Sequence, residues 1–315
     1  MSTHATTAPS PVVQNGSGYA EAGYADSLAE FGRPRALPGC GGWVLERPLP
    51  DGLRDAMGPY PRFACDDWTA LAADIEALRG ELVSVMLVTD PFAPVGYREL
   101  ETVFPDRMVP FKTHYVTDLT RDLNDVVTRH HRYYARKAGR EMRLAAAEPA
   151  SLLDEWVDLY ATLVRRHDIR GMAAFSPESF AALFGVPGLR VVAAWRDETV
   201  VGMQLWLRSG EVAYHHLSAY SAAGYTARVS YGLLWTGLRL LQAEGVRMAD
   251  LGAAAGLRDA DDGLTAFKRG WSSDTRTAYL CGRILDPAAY RDLTDRHGAA
   301  GSAFFPAYRT GTSGI

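Results

Sequence analysis

The sequence predicts an α/β (by some definitions α+β) fold, a mixed sheet flanked by helices, and three observations carry the prediction. From Leu189 onward, LRVVAAWR, TVVGMQLWLR and EVAYHHLSAY are separated by turn residues at Asp197-Glu198 and Ser209-Gly210, as in an antiparallel meander. An amphipathic segment over 230–244 and a short apolar strand over 246–251 follow it. Earlier, ELVSVMLVTDPF holds a continuous apolar run at 82–88, the pattern of a strand buried on both faces.

In chain order, residues 1–38 are rich in Ser, Thr, Ala, Gly and Pro without a sustained apolar period, which predicts a mostly disordered arm. A first strand is expected at WVLERPL. CDDWTALAADIEALRG then offers Asp66 and Asp67 as caps and places Trp68, Leu71, Ile75 and Leu78 at helical spacing. The apolar strand, a short helix over 96–104 and the strand MVPFKTHYVTDL complete a small α/β domain over 39–124.

A second domain is expected over 125–290. It opens with a helix over 124–137 and the strand EMRLAAAEP. SLLDEWVDLYATLVRRHDI follows, with Ser151 as N-cap and Leu152, Trp156, Leu159, Tyr160, Leu163 and Val164 on one face. SPESFAALFG is a further helix, with Ser176 as N-cap, Pro177 in the first turn and Gly185 at the stop. The meander, the helix over 230–244 and the strand over 246–251 come next. A short helix over 263–268 and a last strand, TRTAYLCGRIL, precede a tail over 291–315.

Bulk properties narrow the classes. The 315 residues are 47% apolar and 22% charged, an ordinary globular balance. Three scattered cysteines, Cys40, Cys65 and Cys281, make neither a disulfide framework nor a zinc spacing, so a reducing compartment is expected. Neither a signal peptide nor a run of the roughly 18 apolar residues a membrane span needs is present, so a cytoplasmic protein without membrane or DNA partners is expected. The net charge of −4 argues against extensive nucleic-acid coating. One basic run stands out, RHHRYYARKAGREMR at 129–143, where Arg129, Arg132, Arg136 and Arg140 share a helical stripe beside Lys137. A solvated helix face and a cradle for an anionic donor, including tRNA, both fit that stripe.

The stretch 214–271 concentrates the chemistry. A polar loop lies between strand and helix, which sets a helix N-terminus beside strand ends where backbone N–H groups hold anions or polarised carbonyls. Strict alternation would put Tyr214, His216, Ser218 and Tyr220 on one face of their strand and His215 on the other. Trp206 and Trp235 fit either a pocket or a core. No metal motif, Ser–His–Asp signature or P-loop is present, and GLRDADDG at 256–263 lacks the spacing of a calcium loop.

Three local patterns carry a resemblance. The loop 219–228 lies where a donor-binding loop is expected, ADLG closes a strand at 249–252, and FKRGW follows at 267–271. With the C-terminal FFPAYR at 304–309, these resemble the GNAT-type acyltransferases, in particular the FemAB-like branch, over roughly 125–285 and in outline over 40–125. The resemblance implies a GNAT-like second domain behind a smaller degenerate one. It also implies N-acyl transfer by direct attack of an amine on an activated donor, acyl-CoA or aminoacyl-tRNA, with no tightly bound cofactor. Lys268 would stand at the acyl-transfer site, with Asp250 or His216 orienting the amine or taking its proton. Ser218, Tyr220, Gly224, Arg228, Arg136 and Lys137 would hold the donor, and Tyr214, Trp235 and Phe267 the substrate. The acceptor would be a small-molecule amine.

Two departures limit what carries over. Typical GNAT enzymes have an Arg/Gln-x-x-Gly-x-Gly/Ala loop, whereas here Ser221-Ala222-Ala223-Gly224-Tyr225-Thr226 is the nearest fit. The coiled-coil insertion of the peptidoglycan-bridge enzymes is missing, so a peptidoglycan acceptor is not implied. A GNAT-like binding module without catalysis is the alternative reading.

Overall fold

The structure is a computed structural model and describes residues 18–254 and 263–311. One sheet runs through it. Its strands are β1 (Arg33–Leu37), β2 (Gly42–Pro48), β3 (Arg54–Met57), β4 (Ser84–Val88), β5 (Arg107–Asp118) and β6 (Arg143–Ala147). They continue with β7 (Leu189–Arg196), β8 (Thr199–Ser209), β9 (Val212–Tyr220), β10 (Met248–Asp250) and β11 (Asp274–Ile284). The helices of the first half are α1 (Ala22–Asp26), α2 (Leu71–Ala77), α3 (Tyr97–Val103) and α4 (Leu123–Val126). Those of the second half are α5 (Arg129–Glu141), α6 (Leu153–His167), α7 (Pro177–Phe184), α8 (Ala222–Thr226), α9 (Val229–Ala243), α10 (Gly263–Arg269) and α11 (Pro287–Arg296).

The spatial order β1-β2-β3-β4-β11-β5-β10-β9-β8-β7-β6 contains the same succession twice. An antiparallel ribbon (β1 to β3, and β7 to β9) is followed by a parallel neighbour (β4 beside β3, β10 beside β9) and then an antiparallel one. The third partner is exchanged. The last strand, β11, completes the first set, and β5 from the first half completes the second. The two halves thus share one sheet, because β5 and β11 also pair with each other over most of their length.

Two layers of core cover the sheet of the second half. On one face, α6 and α7 bring Trp156, Tyr160 and Phe180 against Val191, Met203, Leu205 and Tyr214. On the other, α5 and α9 bring Ala135, Leu233, Leu238 and Leu241 against Val192, Val201, Trp206 and Ala249. The meander, the long helices and the closing strand follow the apolar periods read from the sequence.

The departures have local causes. The arm expected over 1–38 gives way at Gly18 to short helices and β1, because Tyr19, Tyr24, Ala25 and Leu28 sink into the core of the second half. The helix expected over 124–137 breaks at Thr128, whose extended backbone donates its N–H to the Gly270 carbonyl and whose side chain caps α5. Ser151 is not the N-cap of α6. It lies in a 3-10 turn, its hydroxyl donating to the Glu148 carbonyl, and α6 starts at Leu153. Ser176 caps α7 as expected. The tail expected over 291–315 docks on the first half, where the Tyr308 hydroxyl and Arg309 guanidinium both donate to the buried Asp55 carboxylate. Of GLRDADDG, residues 256–262 lie outside the described residues, as do 1–17 of the arm.

Candidate active site

The parallel pairing of β10 with β9 covers three residue pairs and ends at Asp250↔Tyr214. Past that point β9 runs on beside β8, while Leu251 and Gly252 exchange backbone hydrogen bonds with Tyr115 of β5. The two strands therefore part, and a gap opens between them. At the same level β9 is bulged, since Trp206 pairs with His215 and Leu205 with Leu217, leaving His216 as the extra residue.

The bulge overturns the single polar face expected for Tyr214, His216, Ser218 and Tyr220. Tyr214 and His216 stay on the α6–α7 side, where the His216 ring lies 5.8 Å from Tyr24 and 6.2 Å from Phe175. Tyr220 faces the α9 side and bonds to Ser218 and to Gln204. One extra residue in the strand reverses the alternation beyond it.

Below the gap lies a buried ionic cluster assembled from both halves. Asp250, at the end of β10, is fully buried; its Oδ2 lies 2.5 Å from Arg62 Nη1 and 2.9 Å from His114 Nδ1. Its Oδ1 accepts the Gly252 N–H at 2.7 Å. Burial alone would raise its pKa, but His114 and Arg62 outweigh that and hold the carboxyl well below the usual carboxylate range. Arg62 packs its guanidinium 4.3 Å from the Tyr214 ring centroid and 4.9 Å from that of Tyr19. The Tyr214 hydroxyl donates to Asp90 at 2.6 Å. Burial raises the Asp90 carboxyl above its ordinary value, with Arg62 and that hydrogen bond opposing.

The two histidines of β9 differ in their partners. His216 Nδ1 is 2.9 Å from the Tyr19 hydroxyl; burial and then Arg62 push its pKa down to about 3. His215 lies on the other face, 4.9 Å from the Trp206 ring, and burial followed by the Lys268 charge lowers it to about 3 as well. Its Nε2 is buried without a hydrogen-bond partner among the described residues. Lys268, on α10, donates to the Ala253 carbonyl at 2.5 Å, so its ammonium stands at the end of β10 on the side of His215.

The remaining predicted residues fall into two places. Gly224 sits in α8, whose Ser221 N-cap accepts the Gly224 N–H. A Cβ at Gly224 would come within 2.1 Å of the Val201 carbonyl oxygen, so this close approach to β8 requires glycine. Arg228 follows in the left-handed region at the start of α9, its guanidinium 4.5 Å from the Tyr134 ring of α5. Arg136 and Trp235 line a groove between α5 and α9, away from Tyr214, and Lys137 lies 4.0 Å from Glu141 on the exposed side of α5. Phe267 packs on His131, Tyr231 and Trp271 rather than facing the gap's other wall at Tyr214. Four residues of the cluster escaped the sequence reading, namely Tyr19, Arg62, Asp90 and His114. They come from loops, a presumed arm and a strand whose alternation marks them as ordinary surface or core positions, so only the three-dimensional pairing reveals them.

Residues 126–269 match the family model described as an acetyltransferase (GNAT) domain. That stretch carries a GNAT-type acetyltransferase domain. Solved structures share the fold over both halves. The crystal structure of FemX superposes with a TM-score of 0.63 at 13% identity, covering 86% of this chain and 92% of that one. The C-terminal domain of a putative lysylphosphatidylglycerol synthetase from Agrobacterium fabrum gives 0.61 at 16% identity, with coverages of 84% and 88%. The structure of L-PGS from Bacillus licheniformis gives 0.53 at 13%, with coverages of 91% and 97%. No curated protein sequence matches this chain. Among the described residues no helix is long and apolar enough to cross a membrane.

Proposed function

We propose that this acyltransferase moves an aminoacyl group from aminoacyl-tRNA to the amine of a small-molecule acceptor by direct attack. The observation that carries the reading is the gap between β9 and β10 with the β9 bulge at its edge. Backbone peptide groups freed from regular pairing there are suited to receive the donor carbonyl. The donor enters from the α9 side, past the loop Ser221 to Arg228. The unpartnered His215 Nε2 offers the donor's polar chain a hydrogen bond, and an unsatisfied buried group of this kind costs about 1–3 kcal/mol while it waits. Lys268 places a positive charge near the developing oxyanion.

The acceptor approaches from the opposite face, over Tyr214 and His216. The amine nitrogen bonds to the carbonyl carbon, the ester C–O bond breaks, and the ribose hydroxyl of the tRNA leaves with a proton. Asp250 is already committed to Arg62, His114 and the Gly252 N–H, so its part is to fix the geometry of the cluster rather than to receive the amine proton.

The choice of donor rests on α5. Arg129, Arg136, Lys137 and Arg140 are exposed along a helix that packs beside α9, a row suited to phosphates beyond the reacting end. FemX and the lysylphosphatidylglycerol synthetases share the fold, which agrees with this donor. The loop ahead of α9 favours acyl-CoA as the second reading. Calorimetry with acetyl-CoA, run beside transfer of radiolabelled amino acids from a charged tRNA pool, separates them. Salt-sensitive tRNA binding with label transfer supports the proposal. Micromolar, salt-insensitive coenzyme A binding without label transfer replaces it with an acyl-CoA donor.

A further inference from the structure

We propose that His114, backed by Asp250, is the general base that takes the proton from the attacking amine. The inference rests on the acyl-transfer reading and deepens it. Asp250 pairs across the sheet with Val116, so His114, two residues earlier on β5, projects from the same face. Because β5 runs antiparallel to β10, His114 lies alongside the chain just past Asp250, where Tyr115 bonds to Gly252. That is the level at which β9 has departed. His114 therefore flanks the gap on the β5 side as His216 does on the β9 side.

The hydrogen bonding fixes which ring nitrogen faces Asp250. His114 Nδ1 is 2.9 and 3.1 Å from the two Asp250 oxygens. An ionised carboxylate only accepts, so Nδ1 donates to it, and in the neutral ring Nε2 keeps its lone pair. Nε2 has no hydrogen-bond partner among the described residues. When the amine attacks, its N–H proton passes to Nε2 and the imidazolium that forms is stabilised by Asp250. It then returns the proton to the departing oxygen or sulfur, so the pair ends as it began.

The other groups in reach are poorly suited to the task. His216 already engages the Tyr19 hydroxyl, and burial with Arg62 leaves it a weak proton acceptor. His215 faces the donor side. Around His114, Asp250 on β10 is the bonded partner and Arg276 lies opposite it on β11, while Arg62, which shares the Asp250 carboxylate, is itself surrounded by Asp90 and the phenols of Tyr19 and Tyr214. Arg62 is neutralised by Asp250 at 2.5 Å, and the Arg276 guanidinium lies 4.3 Å from the Phe92 ring centroid.

The test is the pH profile of transfer by the full chain with His114→Gln, which can keep a hydrogen bond to Asp250. The expected result is a kcat lower by about 10²–10⁴-fold with KM little changed, loss of the acid limb of the profile, and partial rescue of His114→Ala by added imidazole. Wild-type-like kcat in His114→Gln overturns the assignment. Absence of transfer by the wild type would instead count against the functional reading, and the base assignment then stands on a measurement that needs no turnover. Long-range ¹H–¹⁵N spectra should show the neutral His114 ring with its proton on Nδ1. A neutral ring with its proton on Nε2 overturns the proposal.

Discussion

Arg62 and Asp250, 188 residues apart in the chain, meet at 2.5 Å with side chains 3% and 0% exposed. One comes from the loop after β3 and the other from the end of β10, so this ion pair joins the two halves directly beneath the gap. A buried pair gains little over two apolar side chains, but removing one member leaves the other charge stranded in a medium that solvates it poorly.

Arg62→Ala should therefore cost about 3–5 kcal/mol of unfolding free energy in urea titrations. Arg170→Ala, which breaks an exposed pair with Asp168, should lie close to the wild type. Equal small losses for the two variants would show that the Arg62 pair is better hydrated than its burial indicates.

His216 predicts a pH dependence with a definite sign. Its folded pKa of about 3 lies below the ordinary value near 6.5, so on acidification the unfolded chain takes up a proton that the folded chain refuses. Stability contributed by this residue is unchanged above about pH 7 and falls as the pH drops from there toward 3. His216→Gln should flatten the stability profile between pH 7 and 5. It should do so only in part, because His215 titrates in the same direction. Urea midpoints measured at each pH check this, and a variant profile as steep as the wild type's contradicts it.

The same two histidines show where the sequence was legible and where it was not. Strand β9 itself was readable from alternation and turn residues, as were β7, β8, α9 and β11, because their apolar runs and periods are bounded by turn residues. The bulge at His216 was not. A one-residue insertion leaves no compositional trace, yet it sends Ser218 and Tyr220 to the opposite face from the one alternation assigns. The segment 18–37 failed for a different reason. Tyr19 and Tyr24 are isolated aromatics in a Gly/Ala-rich stretch, and what orders them is a cavity built by distant residues such as Tyr60, Phe175 and His216. Asp250 and Lys268 were singled out through motif resemblance. Arg62 and His114 had no motif, and long-range pairing is what no local window contains.

Gly270 explains part of the FKRGW motif. A Cβ there would fall 2.0 Å from the His131 Cε1. That ring is pinned, donating from Nε2 to the Phe267 carbonyl at 3.0 Å and accepting at Nδ1 from the Thr128 hydroxyl at 2.6 Å. Gly270→Ala should destabilise the fold by about 1–3 kcal/mol through overpacking. Adding His131→Ala should recover much of the loss, a non-additivity expected of residues in contact. Additive losses in the double variant would mean that the cost arises from the backbone of Gly270 instead.

Lys268 separates catalysis from binding. Its ammonium is anchored on the Ala253 carbonyl and lies close enough to Gly252 that a Cβ on that glycine would be 3.2 Å from Nζ. It is thus held at the end of β10 rather than trailing in solvent. If it stabilises charge on the donor carbonyl during attack, its benefit appears in the transition state and little in the ground state. Lys268→Ala should then lower kcat by about 10²–10³-fold, while donor affinity in calorimetry and the melting temperature change little. A Lys that only grips donor phosphate would raise KM and leave kcat alone. A Lys that only ties α10 to the strand end would lower the melting temperature without touching either constant once the protein is folded. The three outcomes are distinct in one set of steady-state and thermal measurements. The first is expected because the His215 imidazole, which faces the donor side at the edge of the gap, already feels this charge.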